Sequence, residues 1–183
     1  MQDLKQQIAS DLERSFSAQG FAEQGVEALR AEADVSLRTL YKYFPSREAM
    51  IVGALEHRHT TYFEWLAGGP AEGIEHVLYP LKRLGDWLSE VANTGCLFLN
   101  ALAEYPENEA ITRIVLSHKA ELADEFRKRL QHVAPEQDTQ QVADTLFLLH
   151  EGMTQAARLQ GREKAITAAM SAARAALFAE NIH

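Results

Sequence analysis

The chain has one cysteine, Cys96, so no intrachain disulfide is possible, and this sparing use of thiols fits a reducing compartment. No apolar run approaches the roughly 18 to 20 residues that span a bilayer, so no membrane-crossing helix and no membrane partner are expected. The opening stretch MQDLKQQIASDLER is charged and lacks the hydrophobic segment of an export signal, so the expected location is cytoplasmic. P-loop, dinucleotide fingerprint, nucleophile elbow and CxxC patterns are all missing. Two E-x-x-H spacings occur, Glu56 to His59 and Glu180 to His183, but His183 is the last residue and a poor candidate for the centre of a bundle. His57 and His59 diverge on a helix and make no zinc pair. The expectation is therefore no enzyme, no metal and no cofactor, with a helical-bundle enzyme as the outlying alternative. No segment shows the alternation of a strand, so the fold class is all-α.

Positive charge is also scarce. Eighteen Lys and Arg stand against 26 Asp and Glu, a formal net charge of −8 at pH 7. Residues 1–55 hold six basic and eight acidic side chains, and the remainder twelve and eighteen, so neither part is basic. Such a chain binds nucleic acid only through a local face of opposite sign. One exists between Val35 and Arg47, where Arg38, Lys42 and Arg47 occur without an acidic residue.

Around that stretch the sequence predicts two short helices joined by a tight turn. Val26 and Leu29 face inward on the first, and the connection Ala33-Asp34-Val35 is too short for a wandering loop. Asp34 tolerates the left-handed conformation that a chain often needs on leaving a helix. Ser36 supplies an N-cap oxygen for the next helix. There Leu40 and Phe44 pack on Val26 and Leu29, which leaves Leu37, Arg38, Thr39, Lys42 and Tyr43 outward. These are the parts of a helix-turn-helix reader: basic side chains and tyrosine hydroxyls meet phosphates, and Arg and Thr reach base edges. A solvated helical hairpin with ordinary surface charges is the competing reading, because the spacing is degenerate.

The order Phe16-x-x-x-Gly20-Phe21, Val26-x-x-Leu29, then Ala33-x-Val35-Ser36-x-x-Thr39-Leu40-Tyr41-x-Tyr43-Phe44-x-Ser46-Arg47-Glu48 closely resembles the TetR (tetracycline-repressor) family of transcriptional regulators. Departures from the family pattern are Gln24 and Gly25 where hydroxyl residues usually open the second helix, Arg30 for an alanine, Asp34 for the turn glycine and Arg38 for a small residue. The resemblance implies a three-helix DNA-binding domain, residues 1–48, with a fourth helix from residue 46 connecting it to a six-helix effector and dimerisation domain, residues 49–183. It also implies DNA contacts from Gln24, Gly25, Ser36, Leu37, Arg38, Thr39, Tyr41, Lys42, Tyr43 and Arg47.

Elsewhere the chain reads as amphipathic helices. Residues 3–19 carry Leu4, Ile8, Leu12 and Phe16 on one stripe, with Asp11 and Ser15 at positions that are apolar in many relatives, and Gly20 as a stop. The fourth helix opens at Pro45-Ser46 and runs to about Ala67, before Gly68-Gly69-Pro70. The stripe from Ala71 to Val91 is interrupted by Pro80, where a kink or a fresh start is expected. A short apolar helix follows at 96–103, then long ones at 107–132 and 136–160. The run Leu146-Phe147-Leu148-Leu149 is apolar all round and must be covered on more than one side. After Gly161 a ninth helix extends to about Glu180, with eight alanines between Ala165 and Ala179 that permit close helix approach. The last two helices read as half of a four-helix homodimer interface, with Leu148, Leu149, Ile166, Ala169, Met170, Ala173 and Leu177 in it. A monomer core is the alternative.

His118 and His150 each interrupt an apolar stripe, either as core histidines bonded to carbonyls or as ligand anchors. Cys96 reads as a small buried hydrophobe or as a redox trigger. The expected function is a DNA-binding repressor of a pseudo-palindromic operator, released by a small apolar or aromatic effector seated near Trp65, Trp87, Phe98, His118, Phe147, His150 and Met153. A regulator without a small-molecule effector, controlled by a partner protein, is the alternative.

Overall fold

A computed structural model describes residues 3–91 and 94–182. Those residues form nine helices and no strand: α1 (Leu4–Gln19), α2 (Val26–Glu32), α3 (Leu37–Tyr43), α4 (Arg47–Leu66), α5 (Gly73–Glu90), α6 (Leu97–Glu104), α7 (Glu109–Val133), α8 (Gln140–Gln160) and α9 (Arg162–Ala179). None of them is long and apolar enough to cross a membrane. The chain divides into two compact units, one of Met1–Glu64 with Cys96–His118 and one of Trp65–Gly95 with Lys119–His183. That division does not fall at residues 48 and 49, because α6 and the first half of α7 pack with the N-terminal helices.

In the first unit, Asp3 caps α1 by accepting from the Lys5 amide at 3.4 Å, and Gly20 closes it with φ 78°. Ile8, Leu12 and Phe16 are fully buried, whereas Leu4, the first residue of the stripe, is half exposed. They join Phe21, Leu29, Leu40, Phe44, Met50, Ile51 and Leu55 in one core, which Leu97, Phe98, Ala101, Ile111 and Val115 complete. Each of these side chains larger than alanine contributes about 1.5–3 kcal/mol by leaving water. Ser15 is buried here, and its hydroxyl donates to the Gln24 amide oxygen at 3.2 Å. The two polar departures in this small core therefore satisfy each other. The Arg58 guanidinium ties α4 to α1 through Glu13 and Ser17.

In the second unit, α5 buries Val77, Leu78, Leu81, Leu84, Trp87 and Leu88, and it runs through Pro80 unbroken. Proline at 80 has no amide to give the His76 carbonyl one turn back. Arg129 of α7 donates to that carbonyl at 3.1 Å, so the gap is filled from a neighbouring helix and no fresh start is needed. α8 begins at Gln140, four residues later than the periodicity suggests, after Thr139. It packs along α9, whose Ala165, Ala169, Ala173 and Leu177 are buried within the single chain. Ala173 and Leu177, expected at a dimer interface, thus belong to the protomer's own core. Ile166 covers Gly85 of α5, where an added Cβ would meet it at 3.3 Å. Met170 and Leu149 are half buried, and Leu148 is 67% exposed.

Candidate nucleic-acid interface

The turn between α2 and α3 is a Schellman closure built on an aspartate. The Val35 amide donates to the Arg30 carbonyl at 3.3 Å, and the Asp34 amide donates to the Ala31 carbonyl at 3.2 Å. Asp34 takes the left-handed conformation, φ 48°, at the position where glycine is usual. Only a β-carbon and a short polar side chain have to be accommodated there, and aspartate tolerates this better than most residues. Ser36 then caps α3: its Oγ accepts from the Thr39 amide at 3.1 Å and lies 2.8 Å from the Thr39 hydroxyl. Leu40 and Phe44 are buried on the inner side of α3 and fix its rotation.

That rotation leaves Ser36, Leu37, Arg38, Tyr41 and Lys42 exposed, with Thr39 and Tyr43 half buried at the edges. The Lys42 ammonium sits 5.3 Å from the centre of the Tyr43 ring. Gly25 is exposed at the N-cap of α2, where it brings no capping side chain. α3 therefore presents two cations, a hydroxyl and aromatic edges on one face, with no acidic side chain in the helix. Arg38 and Lys42 are four apart and both exposed, so they share one side of α3.

Two expected contacts turn inward. Gln24 is 2% exposed, with its amide oxygen on Ser15 and its Nε2 donating to Gln19. Arg47 is half buried: its two Nη groups donate to the Phe21 and Gln24 carbonyls, and its Nε donates to the Tyr105 hydroxyl at 3.2 Å. Arg47 is thus a clamp that fixes the segment leading into α2. Below the reader, Gly53 of α4 lies against the Phe44 ring, where any Cβ would stand 2.3 Å from Cε1. Ser46 caps α4 by accepting from the Ala49 amide, and Glu48 in its first turn has its carboxyl pulled below the usual range by a backbone hydrogen bond and then by Ser46.

The candidate effector residues fall in both units. In the first, Phe98 stacks on His118 with ring centres 3.7 Å apart, and the Nδ1 atoms of His118 and His59 are 3.2 Å apart. His59 was not anticipated, since its partner comes from α7 and no local pattern links them. In the second unit, Trp65 and Trp87 meet edge to face at 5.5 Å, while Arg83 lies over Trp65 and accepts its indole N–H on the backbone carbonyl at 2.8 Å. Met153 and His150 are buried, and Phe147 is half buried. Burial lowers the His150 imidazole's pKa against the opposing pull of Glu151. Burial works to raise the adjacent Glu151 carboxyl, but the His150 hydrogen bond and the Lys119 ammonium at 2.7 Å outweigh it and hold the group at about 2. Cys96 is buried at the start of α6. Among the described residues, no group of three or more His, Cys, Asp and Glu side chains is arranged to hold a metal ion.

The reader geometry sets the first expected outcome. Arg38→Ala should weaken binding to the preferred sequence by about 1–3 kcal/mol and relax discrimination at one base pair, whereas Lys42→Ala should weaken all sequences alike. Fluorescence anisotropy on preferred and scrambled duplexes separates the two. Unchanged affinity and preference for Arg38→Ala would remove α3 from the groove.

Comparison with known proteins agrees with this geometry. Residues 11–54 match the family model for bacterial regulatory proteins of the tetR family, and residues 73–173 match the model for the tetracyclin repressor-like C-terminal domain. No curated protein sequence matches the chain. Solved structures share the fold. A TetR-family transcriptional regulator from Streptomyces coelicolor superposes with TM-score 0.86 at 24% identity, over 95% of this chain and 94% of that one. A regulator from Streptomyces avermitilis gives 0.81 at 22% identity over 100% of both chains, and the reduced form of Escherichia coli NemR gives 0.76 at 20% identity over 93% and 95%. With both family models spread along the sequence and a helix-turn-helix whose second helix, α3, is basic, the chain belongs to the TetR family of DNA-binding transcriptional regulators, which are not enzymes.

Proposed function

We propose that the protein is a cytoplasmic repressor that binds a pseudo-palindromic operator as a homodimer and leaves it when a small apolar or aromatic effector binds. The observation that carries this reading is α4. It is an unbroken 20-residue helix that starts at Arg47, the residue clamping the reader's approach, holds Phe44 against Gly53, and ends at Trp65 and Leu66. A helix so placed couples events along its length to the pose of α3. The match of residues 73–173 to a tetracyclin repressor-like domain supports repression and an effector. The dimer is supported by the open apolar groove along α8 and α9, about 410 Å³, lined by Leu148, Leu149, Gly152, Met153 and the α9 alanines 168 and 172. Two readers on such a dimer meet major grooves one helical turn, about 34–36 Å, or a multiple of it apart, so the operator repeats in inverted halves at that spacing.

An effector can release DNA only by binding the DNA-free form more tightly, and by the same factor that it weakens operator binding. Trp65 and Trp87 report occupancy. Apolar and aromatic compounds titrated against the protein should quench tryptophan emission, with a weaker apparent affinity when operator is present, and should lower operator affinity in return. A compound that binds equally tightly with and without operator, and leaves repression intact, would favour control by a partner protein instead.

A further inference from the structure

We propose that His59 of α4 and His118 of α7 form a two-imidazole chelate for a borderline transition-metal cation, of which Zn²⁺ is the test case. The Nδ1 atoms stand 3.2 Å apart with the rings inclined at 75°. Two nitrogens bound at 2.0–2.1 Å to one tetrahedral ion are about 3.3 Å apart, so this separation is that of a ligand edge. Without the ion the two Nδ1 atoms lie within hydrogen-bond distance of each other. Both rings are held in place before any ion arrives: His118 is 4% exposed and stacks on Phe98 at 3.7 Å, and His59 packs on Phe63 at 4.8 Å and is half buried. Little side-chain freedom remains to be lost on binding. The ring nitrogens and aromatic walls suit zinc, nickel or copper and offer nothing to the oxygen-seeking Mg²⁺ or Ca²⁺. Two protein donors leave the remaining positions to water or a small ligand, so the site is an exchangeable one. The net charge of −8 favours a cation over an anion in general. An ion here would join α4, two turns beyond Gly53 and its Phe44 contact, to α7, and so stiffen the helix on which the reader rests.

The test uses the full chain without an affinity tag, stripped with a chelator, in competition with a chromophoric zinc indicator at neutral pH, with Mg²⁺ as the control ion. The wild type should take one equivalent of zinc and no Mg²⁺. His59→Gln and His118→Gln should each weaken zinc binding about ten-fold or more, while His57→Gln, two residues away on a diverging face, should not. Zinc should also raise the thermal unfolding temperature of the wild type but not that of His59→Gln, and the partly exposed His59 keeps the test open if His118→Gln fails to fold. The proposal is overturned if the wild type binds no more zinc than the His59→Gln/His118→Gln double variant, or if His57→Gln loses as much as His59→Gln. Neither DNA nor effector enters these measurements, so a negative result leaves the regulator reading untouched.

Discussion

Arg129→Met should lower stability by roughly 3–5 kcal/mol, read as a shift of the urea midpoint with an unchanged slope. Arg129 is 6% exposed and lies over the Tyr79 ring, and its guanidinium donates in four directions. It meets the Glu125 carboxylate at 2.6 Å, the His76 carbonyl at 3.1 Å, the Leu66 carbonyl at 3.2 Å and the Gly68 carbonyl at 3.3 Å. Leu66 ends α4, Gly68 belongs to the connection after it, and His76 lacks its helical donor because of Pro80. Methionine fills comparable volume but leaves three inward carbonyls without this donor, each at a cost of about 1–3 kcal/mol where water cannot enter. Lysine should rescue little, since a single ammonium cannot span the fork of a guanidinium. Restoring the α5 donor with Pro80→Ala in the Arg129→Met background should recover part of the loss. An Arg129→Met protein that unfolds at the wild-type urea concentration would show that these carbonyls reach water.

The double variant Leu148→Glu/Ala168→Glu should be monomeric and should bind operator about 10²- to 10⁴-fold more weakly than wild type. Joining two readers makes the second contact intramolecular, and separating them forfeits that effective concentration. Leu148 is 67% exposed, and with Ala168 it lines the α8/α9 groove, so two carboxylates there cost the lone protomer little. Between two copies they would be buried without partners. Ala173 is unsuitable for this purpose: it is 0% exposed within one chain, and a charge there would unfold the protomer itself. Sedimentation velocity reads the assembly and anisotropy on a full operator reads the affinity. An intact dimer in the double variant would move the interface to another face.

How well each residue could be read in sequence depended on how far away its partner lies. Asp34 and Ser36 were legible because their jobs are local: a left-handed turn and a cap, each completed within five residues. The helices followed from apolar periodicity in the same way. Arg47 was read as a DNA contact because the family resemblance implied one at that position. Its actual acceptors are two main-chain carbonyls and the hydroxyl of Tyr105, 58 residues on. Gln24 occupies a position where relatives carry a hydroxyl, but the buried Ser15 draws it inward. The alanines of α9 have the same spacing whether they pack on α8 of their own chain or on a second copy, so composition could not sort Ala173 from Ala168. Pro80 signalled a break that Arg129 repairs from α7, and no rule of helix propensity carries that information.

Gly53 leaves open a space on α4 that a side chain from the reader fills. The ring of Phe44, the residue that ends α3, occupies the space where a side chain would otherwise begin, with its Cε1 atom 2.3 Å from an ideal Cβ. Any larger residue there would meet the Phe44 ring, so the ring or the end of α3 that carries it must give way. The close approach of α4 to the end of α3 thus depends on the absence of a side chain at one position.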